Sequence, residues 1–168
     1  MENVELVLKE RKRSGMQAFQ TLQIMNEKIK AVRRIQFCAG HRVFQHESKC
    51  ANMHGHNYVV FFHAEADDLD NIGRVIDFSV LKAKLGTWID VNWDHGFLYY
   101  ANDESVRAIM QSNPNHKSFC LPYNPTAENM AKFLLNEVCP PFLAGTGVVV
   151  KKIVLWETEN CFVEVERE

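Results

Sequence analysis

The sequence has no long hydrophobic run, no excess of either charge and no regular cysteine pattern. No window approaches the ~20 consecutive apolar residues of a membrane-spanning helix. The first residues carry charge throughout, at Glu2, Glu5 and the run from Lys9 to Arg13, so no apolar core of a secretion signal is visible there. Nineteen Lys and Arg against twenty-one Asp and Glu leave a formal net charge of −2. That balance gives no electrostatic reason to expect nucleic acid or an anionic membrane as a partner. Five cysteines at irregular spacing suit reduced thiols better than a disulfide framework. These absences lead to the expectation of a cytoplasmic protein.

What is present fits an ordinary buried core. The chain has 168 residues, 46% of them hydrophobic, which is the size and apolar content of one domain. Residues 1–30 stand apart as an N-terminal arm or extension. They lack proline, and Leu22, Met25 and Ile29 recur at helical spacing, which predicts a helix over 15–30. Such an arm is either solvated or packed on a partner subunit. Residues 31–168 read as a single domain. Strands are expected at 31–40 and 57–66, rich in Val, Phe and Tyr. A helical stripe follows through Val80, Leu81, Leu85, Trp88 and Ile89, with Ser79 as its expected N-cap. Residues 92–120 read as irregular. A second helix starts near Thr126, which can cap it, with Glu128 in the first turn. Two adjacent strands, GTGVVVKKIVLWET and CFVEVE, close the chain. The order β-β-α-loop-α-β-β implies antiparallel pairing in an α+β layer. Cys38, on the first strand, reads as a core residue.

The densest chemistry lies in one short stretch. His41, Cys50, His54 and His56 fall within sixteen positions. On a strand, His54 and His56 would share a face, because side chains alternate. His41 could supply a third imidazole from the neighbouring strand. Three imidazoles without a fourth protein ligand describe a catalytic zinc site with an open position, although iron or nickel could also bind such a set. Cys50 admits two readings: a fourth ligand closing a structural site, or a free thiol beside a cation that serves as a base. A non-catalytic metal-binding module built on the same histidines is the competing class.

Two further constellations carry weight. Asp94 and His95 are adjacent, and a carboxylate can orient an imidazole and tune its basicity when the two touch. Glu157 ends a strongly apolar strand, where a charge is costly without a partner. A carboxylate there can accept two N–H donors from an aminopyrimidinone ring.

Six pieces then occur in order: FCAGHR, KCANMHGHNY, GRVIDFSVLK, WDHGFL, NPTAENMA and WETEN. With them the chain, from about Phe37 to Val165, resembles the 6-pyruvoyltetrahydropterin synthase/6-carboxytetrahydropterin synthase family. The resemblance implies zinc held by His41, His54 and His56. It implies Cys50 as catalytic base, Asp94 and His95 as a proton relay, and Glu157 as the pterin anchor with Thr126 and Glu128 beside it. It implies a tunnelling fold: a four-stranded antiparallel sheet with two helices on one face, closed into a barrel by trimers that stack as a homohexamer. The active site would lie between subunits. The substrate would be 7,8-dihydroneopterin triphosphate, with no redox cofactor.

Two branches of that family share the machinery. One eliminates triphosphate to give 6-pyruvoyltetrahydropterin, toward biopterin. The other also cleaves the side chain, leaving 6-carboxytetrahydropterin and acetaldehyde, toward queuosine and other deazapurines. The compact CxxxHGH spacing from Cys50 to His54 resembles the carboxy branch. The chain departs from the family in three places: Trp93 where Leu is usual, a longer stretch from Tyr99 to Leu121, and the arm at 1–30.

Overall fold

A computed structural model describes residues 28–168. The expected helix over 15–30 falls mostly on residues 1–27 and lies outside the described residues, and residues 28–30 have no regular structure. Six strands form one open sheet: β1 (Ala31–His41), β2 (His54–Ala66), β3 (Gly96–Tyr100), β4 (Ser118–Leu121), β5 (Val148–Thr158) and β6 (Cys161–Glu166). Their order across the sheet is β4-β3-β1-β2-β5-β6. The four strands read from the sequence, β1, β2, β5 and β6, make an antiparallel meander in space. The two short strands β3 and β4 extend it in parallel fashion beyond β1.

Both short strands come from the segment 92–120, which read as irregular. They are four and five residues long, too short for a two-residue alternation to stand out. Between them lies helix α2 (Glu104–Ser112), capped by Asp103. Trp93 packs against this segment. Trp93 is fully buried, and its ring packs against those of Phe37, Trp88, Phe119 and Phe133 at 5.3–6.1 Å. Phe119 arrives on β4, so the large aromatic fills space that this strand encloses.

The long helices each contain one widened turn. Helix α1 spans 78–92 through Phe78–Leu81, a π segment Lys82–Gly86, and Thr87–Asn92. Helix α3 spans 127–143 through Ala127–Phe133, a π segment Leu134–Val138, and Cys139–Leu143. The α1 cap is Asp77, not Ser79. The Asp77 carboxylate accepts from the backbone N–H and the hydroxyl of Ser79 at 2.8 and 2.7 Å. An ionised carboxylate at the positive helix end is the stronger cap, and Ser79 becomes its donor. Thr126 caps α3 as expected, accepting from the N–H of Asn129.

Strand alternation sets the core. Ala31, Ile35, Phe37, Ala39 and His41 of β1, with Tyr58, Val60, Phe62 and Ala64 of β2, turn to one face and are buried. Leu81, Leu85 and Ile89 of α1 and Met130, Leu134 and Leu135 of α3 join the same cluster. Each fully buried Val, Leu, Phe or Met among them contributes about 1.5–3 kcal/mol. Cys38 is not in this core. It takes the opposite parity and lies on the open sheet face, its thiol 3.0 Å from Asn57 Oδ1. Among the described residues no helix is long and apolar enough to cross a membrane.

Candidate metal centre and substrate cavity

The β1–β2 pairing brings the three histidines together. The register sets His41 opposite His54 and Ala39 opposite His56. His54 and His56 therefore flank His41 on the helix-covered face, with ring centroids 4.5–5.2 Å apart. Gly55 between them is required by close packing. A Cβ there would meet the Ala39 carbonyl oxygen at 2.9 Å, a backbone contact that cannot give way.

Hydrogen bonds fix which nitrogen is free in two of the three rings. His41 Nδ1 lies 2.7 Å from the Pro125 carbonyl and His54 Nδ1 lies 2.7 Å from the Asn52 carbonyl. A carbonyl only accepts, so both Nδ1 atoms carry protons. The two Nε2 atoms nevertheless face each other at 3.1 Å. His56 Nε2 is buried and has no hydrogen-bond partner. One donor atom from each of the three residues lies within 4.8 Å of the others. A shared proton would satisfy two of these nitrogens and leave the third bare; a metal ion satisfies all three. Backbone carbonyls that orient imidazoles through Nδ1 are a common outer shell of metal sites. Burial, opposed by the Pro125 carbonyl and aided by the neighbouring imidazoles, lowers the His41 pKa to about 4. Burial likewise lowers His56, against the pull of Glu157. Neutral imidazole is the form that ligates a metal. Cys50 is not among the converging donors.

A cavity of about 380 Å³ opens beside this trio, lined by His41, Cys50, Thr126, Glu128 and Glu157 among others. Glu157 Oε1 lies 3.7 Å from His41 Nε2 and 3.9 Å from His56 Nε2. Thr126 and Glu128 come from the start of α3. Cys50 comes from a single 3-10 turn (Lys49–Ala51) in the β1–β2 loop. Five of the nine sequence-selected residues thus line one hollow, and His54 and His56 stand beside His41 at its edge.

Asp94 and His95 do not join them. They occupy the turn between α1 and β3 and do touch: His95 Nδ1 lies 2.9 Å from Asp94 Oδ2. The other carboxylate oxygen accepts from the Cys38 N–H at 2.8 Å, and the His95 N–H donates to the Cys38 carbonyl at 2.6 Å. His95 has a φ of 57°, a left-handed conformation uncommon outside glycine and costly for a side chain to hold. Burial pushes the Asp94 carboxyl up, but the Cys38 N–H, His95 and Lys117 more than offset it, and its pKa lies below the usual carboxylate value. His95 lines a second depression together with Cys38, Gly40, His54, Gly55, His56 and Asn57. Cys38 and Asn57 belong to the sheet face opposite the three imidazoles.

Several residues around the site had drawn no functional reading. The Tyr58 hydroxyl is buried without a partner, with its ring 5.6–5.9 Å from those of His41 and His56. Its place two residues beyond His56 on the same strand is the signal that could have found it. Arg42 donates twice to the buried Asp103 carboxylate at 2.6 and 2.7 Å. Asn124 holds the loop backbone at Phe44 through both its oxygen and its nitrogen. No local pattern links these distant pairs.

Comparison with known proteins agrees with this architecture. The sequence model of the 6-pyruvoyl tetrahydropterin synthase family matches residues 30–168. The 6-carboxy-5,6,7,8-tetrahydropterin synthase of Rickettsia felis is 41% identical over 137 residues, covering 82% of this chain and 99% of the relative. An uncharacterized protein from Wolinella succinogenes shares the fold at a TM-score of 0.72 and 22% identity, over 85% of this chain and 100% of that one. A catalytic-residue mutant of Plasmodium vivax 6-pyruvoyltetrahydropterin synthase shares it at 0.63 and 20% identity, over 85% and 99%. With a sheet of this kind, three converging imidazoles and a match over nearly all of the described chain, the protein belongs to the 6-pyruvoyl tetrahydropterin synthase family.

Proposed function

We propose that this chain is a zinc-dependent 6-carboxy-5,6,7,8-tetrahydropterin synthase. It would convert 7,8-dihydroneopterin triphosphate and one water to 6-carboxytetrahydropterin, acetaldehyde and triphosphate. The observation that carries this reading is the set of three imidazoles, each with one ring nitrogen within 4.8 Å of the others, beside the cavity that Cys50 and Glu157 line. His41, His54 and His56 would hold the ion, which when bound supplies a Lewis acid for the oxygens of the substrate side chain.

The chain's own residues divide the remaining work. Glu157 accepts the N–H donors of the aminopyrimidinone ring and anchors the pterin. Thr126 and Glu128, at the start of α3, line the same hollow and orient the ring. Cys50, from the loop, takes a proton from a side-chain carbon. His95, held by Asp94, moves the partner proton. Residues 31–168 form the catalytic unit. Cys50 and His95 line separate depressions of one chain, and the complete site would join the two across subunits of a homo-oligomer, read as a hexamer of stacked trimers.

Two observations favour the carboxy product over the pyruvoyl one. The relative in Rickettsia felis bears the carboxy name, and the CxxxHGH spacing has the compact form. A metal-storage module would leave Glu157 and the Asp94–His95 pair without a task. The deciding experiment incubates the zinc-loaded protein with dihydroneopterin triphosphate and identifies products by mass. Acetaldehyde with 6-carboxytetrahydropterin is expected. A pyruvoyl product would move the protein to the other branch, and no turnover would overturn both enzymatic readings.

A further inference from the structure

The turn that carries Asp94 and His95 is held from outside by a residue of the 99–121 segment. Lys117 lies just before β4. Its ammonium donates to the carbonyl of Asp90 and to the carbonyl of Asp94, both at 2.6 Å. Asp90 belongs to the last turn of α1, where unsatisfied carbonyls collect the negative end of the helix dipole and a cation is favoured. The backbone N–H of Phe97 donates to the Lys117 carbonyl at 3.0 Å. The aliphatic stem of Lys117 also lies against Gly96, where a Cβ would meet Cγ and Cδ at 3.4 Å. One side chain therefore clamps the turn on both sides of His95.

The clamp matters because that turn is strained. His95 sits at positive φ, and only surrounding contacts hold a non-glycine residue there. Within the β1 edge, the Cys38 N–H and carbonyl supply two of those contacts. Lys117 supplies two more from the opposite direction.

We propose that Lys117 is a positioning residue, which holds the Asp94–His95 turn in its active geometry through the Asp90 and Asp94 carbonyls. This assigns a task to the 99–121 segment. Its kinetic consequence rests on the functional reading above; its structural consequence does not.

Two variants and two readouts test it. Backbone amide exchange on the metal-free protein is read first. In Lys117→Met, the His95 and Gly96 amides should exchange at least about tenfold faster, while the central β1–β2 amides keep their protection. In Lys117→Arg, which retains donors for both carbonyls, protection should stay near the parent value. Turnover of dihydroneopterin triphosphate by the zinc-loaded oligomer is read second. Lys117→Met should lower kcat by about ten- to a hundredfold with KM nearly unchanged, the cost of a small misplacement of a proton-transfer group. Lys117→Arg should recover most of it.

Unchanged exchange at His95 and Gly96 in the Met variant overturns the proposal. So does equal loss of kcat in both variants, or a rise in KM alone. If the Met variant does not fold, parent-like exchange and kcat in the Arg variant uphold the proposal, and parent-like folding with loss of either one overturns it. An inactive parent protein counts against the pterin reading, and the exchange result then decides the positioning claim by itself.

Discussion

Cys50 is the residue whose role divides chemistry from storage. It lines the cavity but is not among the donors that converge on the metal position. Replacing it by alanine should leave bound zinc at parent stoichiometry by atomic absorption. Activity should fall by about 10²–10⁴-fold, the usual worth of a positioned acid–base group. Loss of zinc along with activity would make the thiol a ligand instead. The HGH pair was legible from the sequence because strand parity alone puts both rings on one face. The same rule, applied to β1 from Phe37 to His41, puts Cys38 on the open face, against the core reading of its thiol. Tyr58 was legible by parity but silent by chemistry, since its meaning is an unpaired hydroxyl that only packing reveals.

At the scale of elements, the β1–β2 and β5–β6 pairs and both long helices were readable because each is long and strongly periodic. The piece from 96 to 121 was not. Its two strands owe their existence to pairing with β1 and to each other, which leaves little local trace. One contact fastens this piece to the site: the buried Asp103 caps α2 and grips Arg42, the neighbour of His41. Asp103→Asn should destabilise the fold by about 2–3 kcal/mol at pH 7 in urea titrations, since it weakens a charge-assisted pair and leaves Arg42 partly unpaired. Burial raises the Asp103 carboxyl, but Arg42, the Val106 N–H and Ser105 outweigh it and hold the pKa below the ordinary value. The sign follows from linkage. This stabilisation is complete above the unfolded carboxyl pKa of about 4 and is lost as pH falls through the lower folded value. The gap between parent and variant should therefore narrow in titrations repeated below about pH 4.

At the scale of the whole molecule, Cys50 and His95 line separate depressions of one chain. If each site joins Cys50 of one protomer to His95 of another, Cys50→Ala and His95→Ala are each inactive alone. Their equal mixture, after subunit exchange, should regain up to about a quarter of parent activity, the chance that both contributing chains are intact at a given interface. A site contained within one chain would regain none. The comparison is a steady-state assay before and after exchange. The same layout has a consequence for how the protein is made. All three imidazoles belong to one antiparallel hairpin closed by the loop 42–53, and a short loop is entropically cheap to close. During synthesis this hairpin leaves the ribosome before β5 and its Glu157 exist. Under the proposed function, a metal ion captured by the nascent hairpin would staple the β1–β2 pairing, so that metal supply would act on the yield of folded chains as well as on their activity.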